Sequence, residues 1–280
     1  MPDGSGLERA PQTTQSVEEK IRVLVAEAQD PRNRDPKRTL ELADSALALI
    51  GEREDLLKEK ADALNAKANA LWALSDYPRA LDCHQQSLAT YERLDDKRGV
   101  ARALNNIGIV YANLADYASA LERYQKSLAM YEQLGDKDGV ARALNNIGIV
   151  YADLADYASA LESFQKSLAM REQLGDKQGV AAALNNIGIV YADLADYASA
   201  LRHFQKSLAT FEQVGDKHGV AAALIGIGEA HRSMGQVEEA KAALTAALEL
   251  CRQLGARLDE ANACLGLGRL YARREEKTRD

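Results

Sequence analysis

Between Val140 and Leu154 the apolar and small residues Ala141, Leu144, Ile147, Gly148, Tyr151 and Leu154 recur at helical spacing, with no breaker except Gly148. This is the period of an amphipathic α-helix, so the segment is a predicted helix A. Ala155-Asp156 is a short turn in which Asp156 can cap a second helix. That predicted helix B runs from about Tyr157 to Gln173 and places Tyr157, Ala160, Leu161, Phe164, Leu168 and Met170 on its apolar side. Gly175-Asp176-Lys177 ends it: Gly175 suits a left-handed C′ position, and Asp176 caps the next helix A.

The pattern recurs every forty residues. Copies start at Gly99, Gly139 and Gly179, and the last two differ only at Arg142/Ala182, Glu162/Arg202, Ser163/His203, Met170/Thr210, Arg171/Phe211, Leu174/Val214 and Gln178/His218. A fixed period near forty predicts a stacked repeat array in which each unit packs on its neighbours. Small residues carry that packing. Gly148 on helix A and Ala160 on helix B permit close approach, Tyr151 and Phe164 fill the space beside them, and the slots recur as Gly108/Ala120, Gly188/Ala200 and Gly228/Ala240. A mid-helix glycine costs about 1 kcal/mol against alanine, so its retention in copy after copy implies a packing reason.

Residues 1–15 read as a disordered arm. Ser16-Val17-Glu18-Glu19 reads as a capping box opening a helix to about Gln29, and Asp35-Pro36 opens another. A worn repeat covers 17–51. Further repeats cover 55–97, 98–137, 138–177, 178–217 and 218–257, a lone capping helix 258–275, and a tail 276–280, so a single solenoid spans 16–275. The copy at 55–97 departs from the pattern at Lys67, Leu71 and His84, and that at 218–257 has His231 in place of tyrosine.

The order Leu144, Ile147-Gly148, Tyr151, Ala160, Phe164, Leu168 resembles the tetratricopeptide repeat signature. Ser167 stands where that family usually has alanine, and the period exceeds its usual length of about 34, so the added residues are expected to extend the helices around the GDK turn. Forty-residue repeats with this turn resemble the LGN/Pins class, the Asn pair is similar to that of kinesin light chains, and similar arrays precede bacterial signalling enzymes. The resemblance covers about residues 17–275. It implies an all-α fold, a right-handed superhelical α-solenoid of stacked antiparallel helix pairs with about 13 helices, in which helix A lines a concave groove.

At about 100° per residue, Arg142, Asn145, Asn146, Ile149, Ala152 and Asp153 lie opposite Leu144, Ile147 and Tyr151. The stripe repeats as Arg102, Asn105, Asn106, Ile109 and Asn113 in the preceding copy and as Ala182, Asn185, Asn186, Ile189 and Asp193 in the following one. Asn65 extends it, and Ile225-Gly226 end it. An Asn ladder offers donors and acceptors to the main chain of an extended peptide, and each Ile an apolar contact. The same pairs can instead cross-link neighbouring helices A, and the sequence leaves both readings open. Arg102 and Arg142 can meet ligand carboxylates or groups at the level of Asn113 and Asp153. A carboxylate clamp of the chaperone-binding kind is not expected, because its middle slots carry Asn here.

Composition narrows the function. A net charge of −7 argues against nucleic-acid binding. The short basic run at 269–274 is followed at once by Glu275 and Glu276 and reads as a solvated helix end. The N-terminus lacks an apolar signal core, and no segment is apolar enough for a membrane span. Three cysteines without metal-ligand spacing suit reduced thiols in a cytoplasmic protein. The periodic serines at 87, 127, 167 and 207 occupy a small-residue slot of helix B. GIGEA and GLGRL place Gly228 and Gly268 in the Gly148 register, as packing glycines. His84, His203, His218 and His231 are scattered, and no catalytic, metal or cofactor motif is present, so no enzyme activity is expected. The leading expectation is a non-catalytic scaffold for a protein or extended peptide segment. Alternatives are a regulatory input module of a larger bacterial signalling protein, which the charged end YARREEKTRD suits, and a self-associating array forming a homo-oligomer.

Overall fold

The computed structural model describes residues 14–30 and 35–277, with side chains within 17–30 and 35–272. Most of the expected arm 1–15, and residues 278–280 of the tail, lie outside the described residues. Among those described are thirteen α-helices, one 3-10 turn at Glu54–Leu56 and no strand. The helices are α1 (Thr14–Gln29), α2 (Pro36–Ile50), α3 (Leu57–Ala73), α4 (Tyr77–Arg93), α5 (Lys97–Asn113), α6 (Tyr117–Gln133), α7 (Lys137–Asp153), α8 (Tyr157–Leu174), α9 (Lys177–Asp193), α10 (Tyr197–Val214), α11 (Lys217–Ser233), α12 (Val237–Leu254) and α13 (Arg257–Lys277). Odd-numbered helices are helices A and even-numbered ones helices B. The turns between them are only two or three residues in the regular copies, so the extra length of the forty-residue period is helical, as expected.

The turns show why the boundaries fall where they do. Ala155 adopts a left-handed φ of 58°, and the Asp156 N–H returns to the Tyr151 carbonyl at 2.9 Å while the Ala155 N–H reaches Ala152. This is a Schellman closure. The Asp156 carboxylate then accepts from the Ser159 N–H at 3.2 Å and caps α8. One aspartate thus closes one helix with its main chain and opens the next with its side chain. At the other turn Gly175 has φ 68°, and Asp176 accepts from the Gly179 N–H at 2.9 Å. Hydrogen bonds from Ser159 hold the Asp156 carboxyl below its ordinary value, and those from Ser199 do the same for Asp196.

The chain divides into two units, residues 1–130 and 131–280. In the first, α1 packs on α2 and α3, and α3 on α4 and α5. Ile21, Val25, Ala46, Ile50, Leu56 and Ala63 form one core, and Ala68, Leu71, Ala80, Cys83 and Val110 another. In the second, each of α7 to α12 packs on its successor, and α7, α9, α11 and α13 touch in sequence. Phe164 with Ala160, Ile187 and Val190, then Phe204 with Ala200 and Ile227, repeat one core motif.

The glycine slots are filled as expected where a helix B lies over them. A Cβ on Gly148 would stand 2.7 Å from the Phe164 ring, and one on Gly188 2.8 Å from Phe204. The periodic serines do more than save space. The hydroxyls of Ser87, Ser127, Ser167 and Ser207 donate to the carbonyls of Ala61, Ala101, Ala141 and Ala181 at 2.7–2.8 Å, tying each helix B to its helix A.

Three expectations are corrected and one packing slot is added. Leu154 does not join the apolar face of helix A: α7 ends at Asp153, and Leu154 is the cap, 48% exposed. Val150, at 1% exposed, holds the core position instead. Ser16 is not an N-cap, because α1 already begins at Thr14 and nothing in Thr14-Gln15 breaks a helix. Gly268 keeps the register but packs on nothing within 4 Å of its notional Cβ, because none of the described helices lies over that part of α13. Finally, a second glycine slot exists in the first turn of helix A, where Gly139 lies under Tyr131 and Gly219 under Phe211.

Candidate peptide-binding groove

Helices α5, α7 and α9, with Asn65 of α3, carry the stripe read from the sequence, and its residues lie at two depths. In the first unit Asn65 and Asn105 are buried, at 5% and 8% exposed. The Asn106 amide donates to Asn65 at 3.0 Å and to Asn69 at 3.4 Å, and the Asn105 amide reaches Asn106 at 3.5 Å. In the second unit the Asn186 amide donates to Asn145 at 3.0 Å, and Asn146 is hydrogen-bonded or otherwise engaged as well. The second Asn of one pair therefore binds the first Asn of the preceding helix A, a bond that cross-links neighbouring helices. Helical phase places Asn105 on the rim of the stripe. Its burial is therefore not read from helical phase alone.

The ladder ends open. Gly226 stands where the next donating Asn would be, and the Asn185 Oδ1 is buried with no hydrogen-bond partner. Phe204 lies 2.7 Å from where a Gly226 Cβ would stand, so its ring uses the room that an Asn side chain takes in earlier copies. Asn185 and Ile189 from α9, Ala222, Ile225 and Gly226 from α11, and Asp259 and Asn262 from α13 line a cavity of about 190 Å³. Ile149 and Ile189 are 40% and 45% exposed, and Ile109 is half-buried.

Both arginines have partners within the protein. Arg102 donates to Asp62 at 2.7 Å and to the Tyr91 hydroxyl, and Tyr91 in turn donates to Asp62 at 2.5 Å. Burial raises the Tyr91 hydroxyl well above its ordinary value. Arg142 pairs with Asp138 at 3.3 Å and lies over the Tyr131 ring at 5.9 Å. Neither reaches the level of Asn113 or Asp153, which lies eleven residues further along the helix, about 16 Å away. Asn113 turns back to its own helix and donates to the Ile109 carbonyl at 2.8 Å. Asp153 and Asp193 are exposed, yet partial burial raises both carboxyls above their ordinary value, and no ion pair among the described residues offsets it.

The first unit holds a larger hollow of about 430 Å³ between α1, α2, α3 and α5, lined by Gln29, Thr39, Asn65, Asn69 and Arg102 among others. The Arg102 Nε in its wall is buried without a partner. Next to it Asn69, Trp72, His84, Asn106 and Ile109 enclose a further cavity of about 180 Å³. Asn69 and Trp72 were not among the residues singled out from the sequence. The signal was available in the register, where the later copies have Ile109, Ile149 and Ile189 for Asn69, and Ala112, Ala152 and Ala192 for Trp72.

Two of the remaining histidines pack, His203 stacking on Tyr191 at 5.1 Å between centroids and His231 Nδ1 meeting Gln236 at 2.5 Å, whereas His218 is exposed. Among the described residues no cluster of three or more His, Cys, Asp or Glu side chains forms a metal site, and no helix is long and apolar enough to cross a membrane.

Serial helix pairs with a glycine under an aromatic ring, a small residue opposite, and a polar stripe on helix A define an all-α repeat protein of the solenoid class. The tetratricopeptide repeat profile matches residues 59–133, 112–173, 139–213 and 179–253, and the chain belongs to that family. No curated protein sequence matches it. Among solved structures it is similar to BtubC from P. vanneervenii, with TM-score 0.61 and 18% identity over 86% of this chain and 92% of that one. It is similar to NprR in complex with its cognate peptide NprX, with TM-score 0.65 and 15% identity over 95% and 74% of the two chains. It is also similar to a signal-transduction ATPase with a tetratricopeptide repeat sensor from Pyrococcus horikoshii, with TM-score 0.68 and 15% identity over 95% of this chain and 43% of that one. At these identities the likeness is one of fold.

Proposed function

We propose that this protein is a non-catalytic scaffold that binds an extended peptide segment of a protein partner on its helix-A faces. The observation that carries the reading is Asn185 Oδ1, a buried acceptor left without a donor where the ladder stops. It sits in the wall of a cavity whose apolar side is Ile189 and Ile225. A peptide N–H meets the acceptor, and its flanking side chains meet the isoleucines. NprR, a protein of like fold, was crystallised with a peptide, which supports the same use of the helix array here. The sensor repeats of the P. horikoshii ATPase favour a regulatory setting for such binding.

The inter-helix bonds of Asn106 and Asn186 make these residues poor probes, since removing them also loosens the stack. Asn185→Ala is the better probe. A peptide selected from a display library on the full chain is expected to lose about tenfold in affinity on this substitution, through one hydrogen bond and its desolvated surroundings, with the melting temperature unchanged or raised. Undiminished binding by Asn185→Ala, combined with selected peptides that map away from the helix-A faces, would refute the reading.

A further inference from the structure

Against near-identical copies, departures from the pattern stand out, and those of the α3–α4 pair converge. Ala68 replaces the glycine of Gly108, Gly148, Gly188 and Gly228, Asn69 replaces an isoleucine, and Trp72 an alanine. His84 replaces the ring of Tyr124, Phe164 and Phe204. Asn69, Trp72 and His84, with Asn106 and Ile109, line the 180 Å³ cavity, all within the first unit. The swap explains the space. Elsewhere the ring lies against bare glycine, 2.6 Å from a notional Gly108 Cβ for Tyr124. Ala68 supplies that Cβ, and the shorter imidazole of His84 does not refill the room that a phenyl ring occupies in the other pairs.

The cavity has a polar demand that the chain does not meet. His84 is 1% exposed, and its Nδ1 has no hydrogen-bond partner. Burial lowers the imidazole pKa to about 4, so it is neutral near pH 7 and offers one N–H and one lone pair. Trp72, 39% exposed, supplies a flat apolar wall, and Ile109 another. Asn69 and Asn106 are already bonded to each other. No charged side chain lines the space, which disfavours an ionic guest. A cavity of about 150 Å³ accepts a benzene ring. An aliphatic guest leaves His84 unmet, whereas a ring with a single hydroxyl satisfies both wall and imidazole.

We propose that this cavity binds a phenolic ring, its face against Trp72 and its hydroxyl hydrogen-bonded to His84. On the peptide-binding reading above, on which this assignment of source rests, the ring is a tyrosine side chain of the bound segment. A free phenolic molecule offers the same chemistry.

Trp72 is the chain's one tryptophan, so its emission reports on the site directly. The full chain is titrated with p-cresol and with toluene, exciting where tyrosine does not absorb. The expected result is a saturable change with p-cresol and roughly fivefold to tenfold weaker binding of toluene. The double variant Ala68→Gly/His84→Phe, which rebuilds the ring-on-glycine contact of the other pairs, is expected to keep its helicity and lose p-cresol binding. Should it not fold, Trp72→Ala, the residue of three other pairs, is expected to lose p-cresol binding by calorimetry. No saturable p-cresol binding, equal affinity for toluene, or full binding by the refilled variant overturns the proposal. A second arm compares N-acetyltyrosinamide with a longer tyrosine-bearing peptide. Tighter binding of the longer peptide identifies a peptide source. If p-cresol alone binds, the phenol site stands and the tyrosine source is overturned. Because p-cresol binding does not involve Asn185, the phenol site and the groove reading fail separately.

Discussion

Gly148 and Gly268 occupy the same register position of a helix A and are used differently. Gly148 lies under Phe164, whose ring stands 2.7 Å from its notional Cβ, whereas Gly268 faces open space. Gly148→Ala is therefore expected to cost about 1–3 kcal/mol through overpacking. Gly268→Ala is expected to add about 1 kcal/mol from helix propensity alone. Thermal unfolding of the two variants measures both, and shifts of the same sign would contradict the assignment. His84 gives the residue scale a pH dependence. Its folded pKa is lowered to about 4 by burial, while the unfolded chain takes up the proton near 6.5. Stability attributable to His84 is thus present above about pH 6.5 and lost as the pH falls towards about 4, by on the order of 3 kcal/mol. The Ala68→Gly/His84→Phe variant should show a shallower loss across this window in parallel melts. A matching slope in both proteins would mean that His84 does not titrate as described.

At the scale of the helix, the turns set the register. Helices α3, α5, α7, α9 and α11 each end through a left-handed residue, and that residue is Ala115, Ala155 or Ala195, at φ 57°, 58° and 59°, in the three near-identical copies. Gly235 fills the same place after α11 with φ 78°. A left-handed alanine carries strain that glycine avoids, offset in part by the greater freedom of glycine in the unfolded chain. Replacing any one of the three alanines by glycine should raise stability by about 0.5–1 kcal/mol, read as an increase in melting temperature. A fall at all three would show that the turns are held by contacts other than their backbone geometry. Much of this layer is legible from one copy of the repeat. Asp156, Gly175 and Asp176 announce the caps, and Gly148 with Phe164 announces the contact between the helices. Leu154 was not legible, because its apolar character fits the helical period and only the Schellman closure turns it outward. The serine slot was legible as small, but its hydrogen bond to a carbonyl twenty-six residues earlier was not.

At the scale of the molecule, stability in a repeat array is a sum of local terms between neighbours. Deleting residues 139–178 joins Asp138 to Gly179, keeping the Asp-Gly step and the repeat register while placing Ala182 where Arg142 stood. The shortened protein is expected to keep its helicity per residue by circular dichroism and to melt somewhat lower. Loss of helical signal would mean that this pair is needed for more than its own contacts. The sequence by itself determined the all-α class, the helix boundaries to within a few residues and the family, because caps, period and packing glycines act within one helix pair and are written locally. It also located the polar stripe of helix A. Tertiary structure decided what that stripe does. Whether Asn186 spends its amide on Asn145 and whether Asn185 is left open depend on the helix A packed alongside, and no single helix encodes its neighbour. The same holds for Ala68, Trp72 and His84, scattered departures in one copy that become a cavity only when α3, α4 and α5 pack together.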